Sequence, residues 1–322
     1  MSRQVLKLGF VPLLDAAGLV VAEAQGFFAA EGLEVELVRE ASWATIRDKV
    51  AVGALDGAHM LAPMPLAMTL GAAGEPIEMV APIMLGAGGA TITVARRLGL
   101  GGDLGADRLA GLVARRREAE ASRLTFGVVF PFSTHNYLLR LWMAQAGLDP
   151  DRDVRITVAP PPRMAELLAA GVVEGFCAGQ PWSAAAVAAG AGEIAARAAD
   201  IAPGAPDKVF AVTRAFAEGR AEVLPPLLRA LDRALAWAEA GENRPALAEL
   251  LARRNYVGVA AEVVAEGLAG LVFHRSGARP DPMQALWVLD QMVRWRQVAP
   301  PGDAFALAER VLDPSLYDAA VA

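Results

Sequence analysis

The sequence contains a single cysteine and only three histidines in 322 residues. One cysteine excludes an internal disulfide, and because Cys177 lies in an apolar run we expect a buried structural thiol. The histidines, His59, His135 and His274, are scattered, so we expect no metal site. A phosphate-binding glycine loop and a Gly-x-Ser-x-Gly nucleophile motif are also absent. The motifs therefore give no indication of an enzyme or of a resident cofactor.

Long apolar runs and concentrated basic charge are missing as well. Although 55% of the residues are hydrophobic, no uninterrupted apolar run of about 20 residues predicts a membrane span. Lys7 and Asp15 interrupt the first apolar residues, which is not the pattern of a signal peptide. We therefore expect a cytoplasmic protein, or a periplasmic one if a leader has been removed. The basic run 115–117 has acidic neighbours and the net charge is -6, so we expect no direct binding to nucleic acid.

Short apolar segments alternate with helical segments along most of the chain. Near the start, strands are predicted over 5–10, 35–38 and 57–61, and a helix over 16–31. The same alternation restarts at residue 124, and residues 224–296 have mainly helical spacing of their apolar side chains. Strands that alternate with helices are typical of a layered α/β fold with a mainly parallel sheet.

Two such units followed by a helical region indicate two lobes. We predict that residues 1–92 and 206–322 form the first lobe and that residues 93–205 form a second lobe inserted into it. Ligands of open α/β sheets bind at the carboxyl ends of the strands. The cleft between the lobes is therefore the predicted ligand site.

Several segments form an ordered series along the chain. They are 8–17 (LGFVPLLDAA), 23–28 (EAQGFF), 41–49 (ASWATIRDK), 56–65 (DGAHMLAPMP), 134–136 (THN), 160–162 (PPP) and 175–182 (GFCAGQPW). This series resembles one known family, the nitrate- and bicarbonate-binding solute-binding proteins. The resemblance extends over residues 5–297 and implies an α/β, two-lobed, periplasmic-binding-protein-like type II fold with the ligand cleft between the lobes.

The resemblance implies a small oxyanion ligand, nitrate or nitrite. Because no signal peptide is seen, the chain looks like the cytosolic nitrate/nitrite sensors of this family. Such sensors hold an RNA-binding antiterminator of the ANTAR type and release it when the anion binds. One alternative is the solute-binding component of an ABC-type nitrate or bicarbonate uptake system. Another is an enzyme of the same fold related to thiamin-pyrimidine synthesis, which depends on a Cys-rich motif that this sequence lacks.

A nitrate site needs hydrogen-bond donors and a compensating positive charge in a mostly dry cleft. His135 and its neighbours Thr134 and Asn136 begin a predicted helix directly after a strand, where free backbone amides favour anions. The family places a ligand-binding histidine in this motif. Trp43 opens a helix that Ser42 can cap, and its indole N–H can only donate. We expect Trp43, Thr134, His135 and Asn136 to bind the anion.

The resemblance assigns two further residues. A lysine such as Lys208 marks the nitrate-binding members, whereas bicarbonate binders use an acidic residue and a metal ion. Gly89 is expected at the ligand by the same resemblance. Family members commonly carry a glutamine in the stretch that matches 88–90, but Ala90 offers no side-chain donor here, so the sequence does not fix the anion. His59 lies within a strand, where a histidine either faces the cleft or is a satisfied core residue, and we favour the second interpretation.

Overall fold

Two five-stranded sheets organise the protein in a computed structural model that describes residues 5–102, 105–273 and 278–321. His274 lies outside the described residues. The strands in chain order are β1 (Leu6–Phe10), β2 (Val35–Arg39), β3 (Gly57–Leu61), β4 (Met79–Gly86), β5 (Thr91–Ala95), β6 (Thr125–Val128), β7 (Arg155–Val158), β8 (Gly175–Ala178), β9 (Gly192–Arg197) and β10 (Lys208–Thr213).

The first sheet has the strand order β2-β1-β3-β10-β4. Strand β1 runs parallel to β2 and β3, whereas β10 runs antiparallel to both of its neighbours, β3 and β4. The second sheet has the order β7-β6-β8-β5-β9, with β6 parallel to β7 and β8, and β5 antiparallel to β8 and β9. The predicted two-lobed α/β fold is therefore confirmed. The prediction of a mainly parallel sheet missed one feature of each sheet, since β10 and β5 run antiparallel to both of their neighbours.

Strand β10 returns the chain from the second sheet to the first. Since β5, at Thr91–Ala95, belongs wholly to the second sheet, the chain leaves the first sheet after β4 and returns to it at Lys208. The lobe boundaries at residues 92 and 205 stay a prediction.

Helices cover the faces of both sheets. They are α1 (Ala17–Ala24), α2 (Phe27–Ala30), α3 (Trp43–Ala51), α4 (Pro63–Thr69), α5 (Gly105–Glu118), α6 (Thr134–Gln145), α7 (Met164–Ala169), α8 (Trp182–Ala188), α9 (Ala198–Ile201), α10 (Arg214–Gly219), α11 (Leu224–Glu239), α12 (Arg244–Ala252), α13 (Ala261–Leu268), α14 (Pro282–Arg294), α15 (Ala304–Val311) and α16 (Pro314–Val321). No helix among the described residues is long and apolar enough to cross a bilayer.

The prediction of one continuous helix over residues 16–31 is wrong. Residues 16–31 form two helices, α1 and α2, because Gly26 between them adopts a left-handed conformation with φ of 71°. A glycine enters this region at little cost, whereas a side chain there would be strained. The break turns α2 relative to α1 and lets Phe28 reach the core, where it is buried.

The core of the first sheet is completed by the helical region that follows β10. Helix α11 buries Leu227, Leu231 and Leu235 at helical spacing, as predicted for a packing face. A separate apolar core lies in the second lobe around Ile92 and Phe126. It includes Cys177, which is fully buried as expected, and burial raises the pKa of its thiol well above its ordinary value.

Direct hydrogen bonds join the two lobes. The Trp182 indole donates to the Pro12 carbonyl over 3.0 Å, and the Leu14 amide donates to the Gln180 carbonyl over 2.9 Å. At another edge, Gln297 accepts from the Tyr137 hydroxyl at 2.8 Å. The lobes are therefore in direct contact.

Candidate functional site

A cluster of buried charges lies where β10 begins. The Lys208 side chain is fully buried, and its Nζ is 2.5 Å from Asp207 Oδ1 and 3.0 Å from Asp15 Oδ2. Lys208 lies between Leu61 of β3 and Gly86 of β4 in the register of the sheet. The ammonium therefore lies in the interior, at the junction of the lobes, on a strand that has a neighbour on each side.

The first lobe adds two rings to this cluster. Trp43 is the first residue of α3, which begins where the Ser42 side chain accepts from the Thr45 amide at 3.2 Å. Its ring centre is 5.1 Å from that of His59 and 5.9 Å from Lys208 Nζ. His59 Nε2 is in turn 2.9 Å from a carboxylate oxygen of Asp15.

His59 is fully buried, as expected of a core histidine, and its nearest charged neighbour is Asp15. Neither ring nitrogen of His59 makes a hydrogen bond within the described part of the chain. Strand β3 is buried along its whole length, so alternation of polar and apolar residues gave no sign of which face His59 occupies. Its place beside Asp15 makes it part of the cluster.

The second lobe contributes His135 and Gly179. His135 is the second residue of α6, which begins where Ser133 accepts from the Asn136 amide at 3.0 Å. His135 Nε2 lies 3.8 Å from Asp207 Oδ1. A Cβ added to Gly179 would lie 3.4 Å from Asp15 Oδ2 and 3.6 Å from His135 Nε2. The glycine therefore borders the space between these two side chains, which come from different lobes.

The structure brings together three of the six residues expected to bind the ligand: Trp43, His135 and Lys208. Thr134 lies at the edge of the cluster, and its hydroxyl donates to the Pro206 carbonyl over 2.5 Å. This bond occupies the hydroxyl proton, and a ligand-binding role for Thr134, through its backbone amide or its hydroxyl, stays a prediction. Thr134 instead ties the start of α6 to the segment that returns the chain to the first lobe.

The other two expected residues have different neighbours. The Asn136 side chain donates to the Pro131 carbonyl over 2.8 Å and accepts from Arg140 at 3.1 Å. A Cβ added to Gly89 would lie 2.2 Å from Leu271 Cδ1, so this glycine allows a leucine side chain to pack against the backbone. Ligand-binding roles for Asn136 and Gly89 stay predictions.

Sequence reasoning missed both carboxylates of the cluster. Asp15 was noted only as an interruption in an apolar segment, although a lone carboxylate in such a run is itself a sign of a buried partner. Asp207 directly precedes Lys208, and a neighbouring pair of opposite charges is usual on a surface. Their burial to 1% and 3% exposure is what marks them as site residues.

The buried charges shift one another's pKa values. Burial alone would raise the pKa of Asp15, but Lys208, and then His59, hold it well below its ordinary value. Burial would likewise lower the pKa of Lys208, yet Asp15 and Asp207 raise it above its ordinary value. Both groups are therefore ionised at neutral pH. Burial, followed by the charge of Lys208, lowers the pKa of His135 to about 4, against the opposing effect of Asp207, so His135 is neutral at pH 7.

Several polar atoms of the cluster lack a hydrogen bond within the described residues. Buried polar groups usually have a partner, so such a concentration is unusual. The atoms comprise donors and acceptors: Trp43 Nε1, both ring nitrogens of His59 and of His135, both carboxylate oxygens of Asp15, and Asp207 Oδ2. The Lys208 ammonium is near Asp15 but is not aligned for a hydrogen bond with it. The donors Trp43 and His135 are thus available to a small ligand with acceptor atoms.

The described residues do not provide a set of ligands for a bound metal ion. The described residues include no group of three or more histidine, cysteine or acidic side chains arranged to hold a metal ion. The arrangement instead combines a buried cation, an indole N–H and an imidazole with two buried carboxylates. These groups are suited to recognition of an anion by hydrogen bonds and charge.

Acid should destabilise the protein through His135. Because the pKa of His135 falls from its ordinary 6.5 to about 4 on folding, the unfolded chain binds the extra proton between these values. Above about pH 6.5 His135 is neutral in both states and does not change the free energy of unfolding with pH. As the pH falls from 6.5 towards 4, the free energy of unfolding decreases by up to about 1.4 kcal/mol for each pH unit. Denaturant unfolding at pH 4.5, 5.5 and 6.5 measures this slope. The variant His135→Gln should show a flatter dependence, and equal slopes for both proteins would contradict the prediction.

Comparison with known proteins places this chain in a family. Residues 2–252 match the sequence model described as the NMT1-like family. The nitrate import ATP-binding protein NrtC of a Synechocystis strain is 34% identical over 97% of this chain and 49% of its own length. The nitrate/nitrite binding protein NrtA of a Nostoc strain is 30% identical over 90% of this chain and 70% of its own length. The chain thus spans about half the length of several curated relatives that it matches.

A solved structure supports the same grouping. The crystal structure of the periplasmic nitrate-binding protein NrtA from Synechocystis superposes with a TM-score of 0.92 at 26% sequence identity, covering 99% of this chain and 88% of that one. The agreement over nearly the whole chain includes both lobes.

Proposed function

Because this chain belongs to the NMT1-like family, we propose that it binds nitrate or nitrite at the buried cluster around Lys208 and performs no catalysis. The observation that carries the proposal is the convergence on one buried ammonium of two donors, Trp43 and His135, whose ring nitrogens have no hydrogen-bond partner within the described residues. Nitrate and nitrite offer acceptor oxygens and a single negative charge. Relatives named as nitrate/nitrite binding proteins support this choice.

Bicarbonate is the second candidate, and one observation favours it. Asp207 Oδ2 is buried and accepts no hydrogen bond from the described residues. Bicarbonate has an O–H that can donate to such a carboxylate, whereas nitrate has only acceptors. Lys208 is the buried ammonium beside Asp207 in either case. The two anions are therefore compared directly in the binding experiment.

We further propose that the protein is a cytoplasmic sensor whose lobes close on the anion and so control an ANTAR-type antiterminator partner. What supports this is the burial of the cluster between the lobes, with His135 on one side and Asp15 on the other. An anion reaches such a site only when the lobes separate, so binding and lobe position are linked. The alternative is the solute-binding component of an ABC-type uptake system, which uses the same closure.

Isothermal titration with nitrate, nitrite and bicarbonate, the last with and without calcium, tests the ligand. We expect micromolar binding of nitrate or nitrite. The variant Gly179→Ala should abolish most of it, because the added methyl group enters the space between Asp15 and His135. Gly219→Ala is the matched control, since its Cβ meets no atom within 4 Å. Binding of bicarbonate alone would replace nitrate as the ligand, and unchanged binding by Gly179→Ala would place the site elsewhere.

The sensor and transport proposals differ in their partners. Purified protein is mixed with an ANTAR-type antiterminator encoded in the same genome, with sodium nitrate or with equal sodium chloride, and complex formation is followed by size-exclusion chromatography. The sensor proposal expects a complex in chloride that dissociates in nitrate. Absence of a complex in both salts would contradict it and favour the uptake system.

A further inference from the structure

The charges of the cluster leave no positive charge for an anion. Asp15 and Asp207 contribute two negative charges and Lys208 contributes one positive charge. The sum is minus one if both imidazoles are neutral and zero if His59 carries a proton against Asp15. In both cases a bound monoanion would leave the buried cluster with a net negative charge. Burying an uncompensated charge is costly, and proteins usually avoid it by a change of protonation.

The groups that face this space come from five elements. They are Asp15 in the turn before α1, His59 in β3, His135 in α6, Cys177 in β8, and Asp207 with Lys208 at the start of β10. The Lys208 ammonium and the Cys177 thiol already hold their protons at neutral pH, because the pKa of each is raised. The lowered pKa of Asp15 keeps that carboxylate ionised. The two imidazoles and Asp207 are the remaining groups, and each has a buried nitrogen or oxygen atom without a hydrogen bond within the described residues.

The geometry favours His135 among these groups as the acceptor of a proton. Both of its ring nitrogens lack a hydrogen bond within the described residues, and Nε2 faces the space bordered by Gly179. Asp207 Oδ1 lies 3.8 Å from Nε2, so an imidazolium there would have a carboxylate beside it and the anion in front of it. Its pKa, lowered to about 4 in the absence of an anion, must rise when a negative charge binds next to it.

We propose that the anion is captured together with one proton, which His135 takes from solvent, and that Asp207 imposes this requirement. The proposal rests on the proposed function and deepens it. The bound state contains the anion and an imidazolium, so the charge of the cluster is the same before and after binding. Lys208 then positions the two carboxylates, and His135 supplies the charge that neutralises the ligand.

Proton capture makes binding depend on pH. If one proton is taken up for each anion, the apparent affinity falls by about tenfold for each pH unit across the range in which free His135 is neutral and bound His135 is charged. That range begins above about pH 4, the pKa of His135 without an anion. Binding is therefore strongest in mildly acidic solution, where the anion also offsets the acid sensitivity expected of the free protein.

Calorimetry in different buffers measures the proton directly. Nitrate is titrated into the full chain at pH 6.5 in buffers of different ionisation enthalpy, and the slope of the binding enthalpy against that enthalpy gives the protons taken up. We expect uptake of close to one proton for each nitrate bound by the wild type and close to none for Asp207→Asn. The nitrate affinity of Asp207→Asn should also lose most of its dependence on pH. Glu118→Gln removes a negative charge from an exposed site on α5 and should behave as the wild type does.

Nuclear magnetic resonance identifies the proton carrier without a disabled variant. In protein labelled at its three histidines, the His135 ring signals, assigned by their loss in His135→Gln, should move to the imidazolium position when nitrate is added at pH 6.5. Nitrate binding without proton uptake would overturn this proposal and leave the proposed function intact. Uptake without a change at His135 would overturn the assignment of the carrier. No binding of nitrate or nitrite between pH 5.5 and 7.5 would overturn both proposals.

Discussion

Replacing Lys208 with alanine should lower the free energy of unfolding by about 3–5 kcal/mol and abolish anion binding. Among the residues that the structure describes, the ammonium is the charge that offsets Asp15 and Asp207 when both imidazoles are neutral. Its loss leaves two carboxylates buried within the same cluster, and their mutual repulsion adds to the cost of desolvation. Denaturant unfolding at pH 7 gives the stability, and titration calorimetry gives the binding.

Two comparisons separate this effect from the loss of any lysine. Lys49→Ala removes an ammonium that is 42% exposed and lies 2.6 Å from the buried Glu40. It leaves one carboxylate without its partner rather than two, so it should cost about 1–2 kcal/mol. The double variant Lys208→Ala with Asp15→Asn should regain part of the stability, because it removes one of the unpaired charges. If Lys208→Ala and Lys49→Ala lower the free energy of unfolding by the same amount, the cluster does not have the electrostatic role assigned to it.

The overall fold was predictable because its signals are local. Alternation of short apolar segments with helical ones predicted the strands, and the restart of that pattern at residue 124 predicted the second sheet. The break at Gly26 was missed because apolar spacing continues across it. Only the positive φ of that residue separates α1 from α2, and a glycine in a helical pattern does not require one.

The candidate site was predictable only in part because it is assembled over long distances in sequence. Resemblance to a family led to Trp43, His135 and Lys208, which lie on three elements and meet in the structure. The same motif led to Asn136, but successive helical residues point about 100° apart. His135 faces the cluster, so its neighbour turns to Pro131 and Arg140 instead.

The carboxylates were missed for a related reason. A lysine in a predicted anion site suggests a free positive charge, and nothing in the residues around Lys208 shows that its partner is Asp15, which lies far away in sequence. The structure changes the chemical interpretation of the site from a single cation to a balanced ion cluster. That change is what makes the protonation of His135 part of the binding reaction.

Trp43 offers the second large effect, and here packing and hydrogen bonding can be separated. Its side chain is fully buried between His59 and Lys208, so Trp43→Ala should lower the free energy of unfolding by about 3–5 kcal/mol through the cavity that it leaves. Trp43→Phe keeps much of the ring but removes the indole N–H. It should fold with a smaller loss of stability and bind nitrate about ten to a hundred times more weakly, as expected for one hydrogen bond to a charged group.

Calorimetry on both variants decides between a binding role and a packing role for this tryptophan. Trp237→Phe is the matched control, because Trp237 is half-buried on α11 and packs against the core of the first lobe; its anion affinity should equal that of the wild type. Equal nitrate affinity in Trp43→Phe and the wild type would mean that the indole N–H makes no bond to the ligand. The anion would then depend on Lys208 and His135 alone, and the reason for a tryptophan at the start of α3 would be its contact with His59.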